Sequence, residues 1–168
     1  TYTNDLDSGM VQYYGPGVPV YVLEDPDDPN SRLVFSHYDP YNGLAAGYSY
    51  YDVDFKPDDT DSAGGYKLLA NLKADNNMSL SNEAAVINGK GRTITVVNTL
   101  TNNGLITTDT GVVDITTGYF VGGPGNITNT AGGNISLKTT MGDIELGYLE
   151  TSATVNITSA RGITDGNG

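Results

Sequence analysis

Apolar residues in the second half of the chain recur in pairs whose members are separated by one polar residue. This i, i+2 spacing puts both apolar side chains on one face of a strand, with Thr, Ser, Asn or Glu on the other face. No segment carries the 3.6-residue period of an amphipathic helix. Short strands are therefore predicted around Met78/Leu80, Ile94/Val96, Val113/Ile115, Ile135/Leu137, Ile144/Leu146 and Val155/Ile157.

These apolar pairs themselves recur at a longer, regular spacing. One series consists of Ile94, Val113, Ile135 and Val155, at separations of 19, 22 and 20 residues. A second series consists of Val86, Ile106, Ile127, Ile144 and Ile163, at separations of 20, 21, 17 and 19 residues. Two interleaved series of one period indicate a solenoid, because each coil stacks its inward residues on those of the coil before it. The spacing predicts an all-β parallel β-helix of roughly five coils, with about 20 residues per coil.

Glycine stands directly before many of the predicted strands, as at Gly104, Gly125 and Gly142. The chain has to turn sharply between the strands of a coil, and glycine tolerates positive φ without a Cβ clash. We therefore expect these glycines at the corners of the coils, in left-handed backbone conformations.

The first part of the chain differs from the repeat in composition. Ten of the twelve Tyr lie at or before Tyr66, and six of the seven Pro lie at or before Pro57. Residues 18–23 and 32–36 read as strands joined by an acidic, proline-rich loop, and residues 48–55 alternate in the manner of a strand. We predict a β-containing head or cap over residues 1–69. Residues 70–168 are predicted to be solenoid repeats that continue in a longer parent protein.

Charge excludes one class of partner. The net charge is −12, with twelve acidic against two basic residues up to residue 66 and eight against six after it. An acidic surface repels phosphate backbones, so we expect no nucleic-acid partner. The chain has no Cys, and it lacks an apolar run of about 18 residues, so we predict no membrane insertion of this segment.

Two acidic clusters in the head are candidate Ca²⁺ sites, because carboxylate oxygens are the ligands that Ca²⁺ prefers. Neither cluster follows the EF-hand pattern, and solvated acidic loops are the alternative interpretation. No other cofactor is predicted. The candidate ligands are Asp25, Asp27 and Asp28 in the first cluster, and Asp58, Asp59 and Asp61 in the second.

Catalysis is not expected from the acids of the repeat half. Glycoside cleavage needs two carboxyl groups about 5–10 Å apart in a groove. The outward acids are instead scattered singly, and the single histidine, His37, excludes an acid and base pair made of two histidines. We predict no enzyme activity. The scattered acids are Asp109, Asp114, Asp143, Glu145 and Glu150.

Tyrosines of the head form a candidate contact surface. Tyr48, Tyr50 and Tyr51 lie in one predicted strand region, where aromatic rings could stack on sugars or dock a neighbouring subunit. The alternative is that they fill a small β core in which Leu and Ile are scarce.

Two stretches of the repeat half resemble a known family. Residues 74–87, and Gly142–Thr151 followed by Val155–Thr158, resemble the repeats of filamentous-haemagglutinin-like adhesins. The resemblance covers about residues 70–168. It implies a right-handed β-helical exoprotein, secreted by a dedicated outer-membrane partner and found extracellularly or on the bacterial cell surface.

Together, pattern and resemblance predict a structural or adhesive segment of a secreted bacterial cell-surface or extracellular fibre protein. Its expected partners are itself, as neighbouring copies in a fibre, or host and cell-surface glycans. One alternative is a carbohydrate- or host-receptor-binding adhesin module that uses the Tyr-rich head. A second alternative is a polysaccharide-active β-helix enzyme.

Overall fold

A computed structural model describes the strands of the first part of the chain and nearly all of the second part. The described backbone covers residues 11–14, 21–24, 31–35, 38–39, 43–44, 52–55, 65–68 and 71–167, and the described side chains are those of Phe55, 66–68 and 71–167. Within these residues the regular structure is entirely β, in nineteen strands.

The strands are short, apart from two that exceed eight residues. They are β1 (Val11–Tyr14), β2 (Tyr21–Glu24), β3 (Ser31–Phe35), β4 (Tyr38–Asp39), β5 (Gly43–Leu44), β6 (Asp52–Phe55), β7 (Gly65–Leu68), β8 (Leu72–Ala74), β9 (Met78–Leu80), β10 (Val86–Asn88), β11 (Thr93–Asn102), β12 (Leu105–Thr108), β13 (Val113–Val121), β14 (Asn126–Asn129), β15 (Ile135–Thr139), β16 (Ile144–Leu146), β17 (Tyr148–Glu150), β18 (Val155–Thr158) and β19 (Ile163–Asp165).

The strands assemble into two large sheets and one small β4–β5 pair. A ten-stranded sheet follows the order β1-β6-β9-β11-β13-β15-β18, with β8, β16 and β19 attached beside this path. A seven-stranded sheet follows the order β17-β14-β12-β10-β7-β3-β2. From β7 onward all pairings are parallel, in a solenoid of about five turns with about 21 residues per coil. The predicted all-β parallel β-helix is confirmed.

Each coil contributes strand segments to three sides, which we name A, B and C. Side A contains β8, the first halves of β11 and β13, then β15 and β18. Side B contains β9, the second halves of β11 and β13, then β16 and β19. Side C contains β7, β10, β12, β14 and β17. The two long strands cross from side A to side B at a register shift, which in β11 lies between Val96 and Thr99.

The core consists of columns in which one apolar residue per coil stacks on its counterpart. Nearly all members before the last coil are fully buried, and each such Leu or Ile contributes about 1.5–3 kcal/mol by leaving water. The columns are Leu72, Ile94, Ile115, Leu137 and Ile157 on side A; Met78, Leu100, Phe120, Ile144 and Ile163 on side B; and Tyr66, Ile87, Ile106, Ile127 and Leu149 on side C.

The first predicted series is correct in period but joins two columns. Ile94 pairs with Ile115, two residues after the predicted Val113. Val113, Ile135 and Val155 form a separate column. The apolar i, i+2 pairs allow either alignment, and only the length of the intervening turns decides between them.

The second predicted series combines two sides of the solenoid. Ile106 stacks in register on side C as predicted, but its neighbour in the preceding coil is Ile87 and not Val86. Ile144 lies on side B. A spacing near one coil length does not distinguish a residue on the same side from one on the next side when coil lengths vary by a few residues.

The corner glycines serve a different purpose from the expected one. Gly104 and Gly125 do not adopt positive φ. A Cβ atom at either position would lie 2.1 Å from a carbonyl oxygen of the preceding coil, that of Ala85 or Asn102 respectively. Gly147 repeats this close approach on the carbonyl oxygen of Gly125, again at 2.1 Å. Backbone-to-backbone contact between coils, and not turn conformation, requires glycine in this column.

Candidate functional site

The predicted head sites fall outside the described residues. This applies to all six candidate Ca²⁺ ligands and to the three candidate contact tyrosines. Within the described part of the chain, no group of three or more His, Cys, Asp or Glu side chains could hold a metal ion. The same part contains no helix able to span a membrane. The residues concerned are Asp25, Asp27, Asp28, Asp58, Asp59, Asp61, Tyr48, Tyr50 and Tyr51.

Two of the outward acids bond to the backbone of neighbouring coils. Asp143 accepts a hydrogen bond from the backbone N–H of Gly162 at 2.9 Å, measured to Oδ1. Glu145 accepts one from the backbone N–H of Gly123 at 3.1 Å, measured to Oε1. These carboxylates satisfy donors that the strand pairings leave over, so their observed contacts are structural.

Asp109 is held by a cation of the preceding coil. Lys90 Nζ lies 2.8 and 2.9 Å from its two carboxylate oxygens. This hydrogen bond lowers the pKa of Asp109, partly opposed by desolvation and assisted by Asn88. A carboxyl group that stays ionised well below neutral pH is a poor general acid.

Buried polar residues at the corners form the feature that the sequence pattern did not predict. Asn129 is only 5% exposed, and its Nδ2 donates to the carbonyl oxygens of Gly111 and Asn134, both at 3.1 Å. Its Oδ1 accepts the backbone N–H of Ala131 at 3.0 Å. One side chain therefore satisfies three backbone groups of two adjacent coils. The available sequence signal is an Asn two residues before a small residue, which is typical of an Asx turn.

The other buried polar residues act in the same way. Asn102 accepts the backbone N–H of Gly104 at 3.1 Å and donates to the carbonyl oxygen of Asn126 at 3.1 Å. Thr139 Oγ1 donates to the carbonyl oxygen of Gly142 at 2.7 Å. These groups bond to the turns that join the strands, and their observed bonds stabilise the corners.

A shallow groove opens where side C meets the following turn. Its volume is about 600 Å³ and its lining is mainly polar. Tyr148 flanks it on the outer face, 53% exposed, and its Oη donates to Glu150 Oε2 at 3.3 Å. Hydroxyl groups, a carboxylate and an aromatic ring together suit a polyhydroxylated ligand. The lining residues are Thr128, Asn129, Thr130, Ala131, Gly132, Glu150, Thr151 and Ser152.

The last coil, formed by β17, β18 and β19, exposes residues that the other coils bury. Ile163 is 52% exposed, whereas its column neighbour Ile144 is 0% exposed. Val155 is 40% exposed, whereas its column neighbour Ile135 is 0% exposed. This surface has the chemistry of the solenoid core and lies at the free edge of both sheets.

Comparisons of the chain with protein-family models, curated proteins and solved structures gave no match. The structure therefore defines the class by its architecture, an all-β parallel solenoid. The resemblance of residues 70–168 to filamentous-haemagglutinin-like adhesins stays a prediction.

Proposed function

We propose that this chain is a structural segment of a secreted bacterial cell-surface or extracellular fibre protein and has no catalytic role. The observation that carries the proposal is the engagement of polar side chains in contacts between coils. Asp109, Asn129, Asp143 and Glu145 each bond to an adjacent coil. Side chains that could perform chemistry elsewhere stabilise a rod.

A stack of this kind has the mechanical properties that a fibre needs. Coils separated by about 4.8 Å give a rod of roughly 24 Å over five turns. Every side chain column continues from coil to coil, so the rod extends by adding coils without a change of cross-section. The extracellular and bacterial parts of the proposal rest on the family resemblance of residues 70–168.

Electron microscopy of the purified protein, with and without a Ca²⁺ chelator, tests the proposal. Ordered filaments support it. Filaments that disassemble with chelator would also assign the acidic loops of the head, at Asp25–Asp28 and Asp58–Asp61, as metal sites. Discrete monomers under both conditions, over a wide range of protein concentration, contradict the proposal.

Carbohydrate binding is the second candidate function, and the groove beside Tyr148 is the observation that favours it. A sugar ring would stack on the exposed tyrosine while its hydroxyl groups bond to Glu150 and the threonines of the lining. Tyr48, Tyr50 and Tyr51 of the head remain a further predicted contact surface.

A glycan array with the wild-type chain, followed by titration of any retained glycan, tests this candidate. Tyr148→Ala should abolish retention, whereas Tyr119→Ala, which removes a 39% exposed tyrosine from side B, should not. Equal retention by both variants would refute a site at the groove.

A further inference from the structure

We propose that the last coil is the joint through which one copy of this chain binds the opposite end of a second copy, head to tail. The inference rests on the proposed fibre function and names its partner and contact surface. The joint consists of the edge strands β17, β18 and β19 and of the apolar side chains that they leave uncovered, Val155 and Ile163 foremost.

Continuity with the interface between coils is the first argument. Along the side B column, Met78, Leu100, Phe120 and Ile144 are each covered by the following coil to an exposure of 2% or less. Ile163 continues that column at 52% exposure. The last coil therefore presents half of an interface that the chain forms repeatedly within itself, so its best-fitting partner is another β-sheet end.

The backbone of the last coil is equally open. In a parallel pair each strand uses only half of its N–H and C=O groups toward one neighbour, so an end strand leaves the other half unpaired. Exposed edges are usually protected by Lys, Pro or bulges. None of these residues occurs in β17, β18 or β19, whose sequences are YLE, VNIT and ITD. The edge lacks the features that prevent strand addition.

The opposite end of the same two sheets supplies the complementary edge. The ten-stranded sheet ends in β1 and the seven-stranded sheet ends in β2, both antiparallel to their neighbours. Their sequences, VQYY and YVLE, carry one charged residue, Glu24, and neither Lys nor Pro. Joining unlike ends is a heterologous contact that repeats without closing, which is what a filament requires.

Paired lysine substitutions at the two ends of the argument provide the test. Val155→Lys/Ile163→Lys introduces charge at the proposed joint, on side chains that are already 40% and 52% exposed, so the fold should persist. Val97→Lys/Val112→Lys places the same charge on described residues before the last coil, at 47% and 42% exposure. Circular dichroism and thermal melting of both variants check that each is folded.

Sedimentation velocity over a concentration series measures the association of the three proteins. The concentration at which assembly begins should rise by about tenfold or more in the joint variant, because each added copy would bury unpaired charge. It should change little in the control variant. Equal assembly of the joint variant and wild type overturns the inference while leaving the fibre function standing. A wild type that never assembles overturns both.

A mixing experiment determines the polarity. The joint variant keeps an intact N-terminal end, so it should add to the open C-terminal coil of a wild-type filament and stop its growth. Mean filament length by electron microscopy should then fall toward the molar ratio of wild type to variant. Unchanged length on mixing, or wild-type assembly that stops at a dimer, would indicate a tail-to-tail contact and overturn the head-to-tail joint.

Discussion

Replacing Gly125 by alanine places a methyl group on the carbonyl oxygen of Asn102 in the preceding coil. The Cβ atom would lie 2.1 Å from that oxygen, more than 1 Å inside an ordinary contact. The coils have to separate locally, at the corner where the N–H of Asn126 donates to the carbonyl oxygen of Gly104 at 2.8 Å. Overpacking of this kind costs about 1–3 kcal/mol, and a lost hydrogen bond about 0.5–1.5 kcal/mol.

The expected loss of unfolding free energy for Gly125→Ala is therefore about 2–4 kcal/mol. With an m-value of about 2 kcal/mol/M, the urea midpoint should fall by about 1–2 M, as followed by circular dichroism.

Gly89→Ala is the matched control, since Gly89 is also a buried glycine without positive φ. A Cβ atom there would meet its nearest neighbours, the carbonyl oxygens of Thr107 and Arg92, at 3.6 and 3.8 Å. The methyl group fits, and the stiffer unfolded chain should raise stability by about 0.4–1 kcal/mol. If Gly125→Ala is as stable as Gly89→Ala, the close approach of coils does not explain the glycine column.

Three further substitutions test the core, the corners and the surface. Leu137→Ala should cost about 2–5 kcal/mol in urea unfolding. Ile157→Ala, in the same column but only partly buried in the last coil, should cost clearly less; equal losses would contradict the column description. Asn129→Ala leaves three backbone groups without their partner and should cost about 2–3 kcal/mol, whereas a neutral result would show that water replaces the amide. Because Lys90 lowers the pKa of Asp109 in the folded state, the ion pair stabilises above the unfolded carboxyl pKa and its effect is lost as pH falls through the folded one. Lys90→Met should thus lower stability at neutral pH by about 0.2–1 kcal/mol, since both side chains are substantially exposed, and have no effect at pH values where Asp109 is protonated in both states. Thermal melts at the two pH values decide this, and a loss that persists in acid would assign the effect to packing.

The strands were largely predictable because a strand imposes a period of two on its side chains. The pairs Ile94/Val96 and Ile135/Leu137 point into the core, as the alternation predicts. Alignment of one coil on the next was less predictable, since it depends on the lengths of turns. The register shift after Val96 is one such irregularity, and it has no apolar signature.

The buried polar corners were unpredictable from polarity alone. An alternation argument assigns Asn102 and Asn129 to the solvent side, yet both are buried. They are inward because the turns beside them expose carbonyl and N–H groups to the interior, and only a polar side chain can bond these groups. That requirement becomes visible only after two coils are stacked.

The one-coil-per-layer arrangement also determines how the segment responds to load. A coil of about 21 residues occupies about 4.8 Å of the rod axis, but its extended chain spans about 70 Å. Because each coil contacts only its neighbours, tension between the two chain ends detaches coils singly from an end. Each detachment lengthens the segment by many times the layer height at nearly constant force. Such a rod is stiff at low load and dissipates energy stepwise when overloaded.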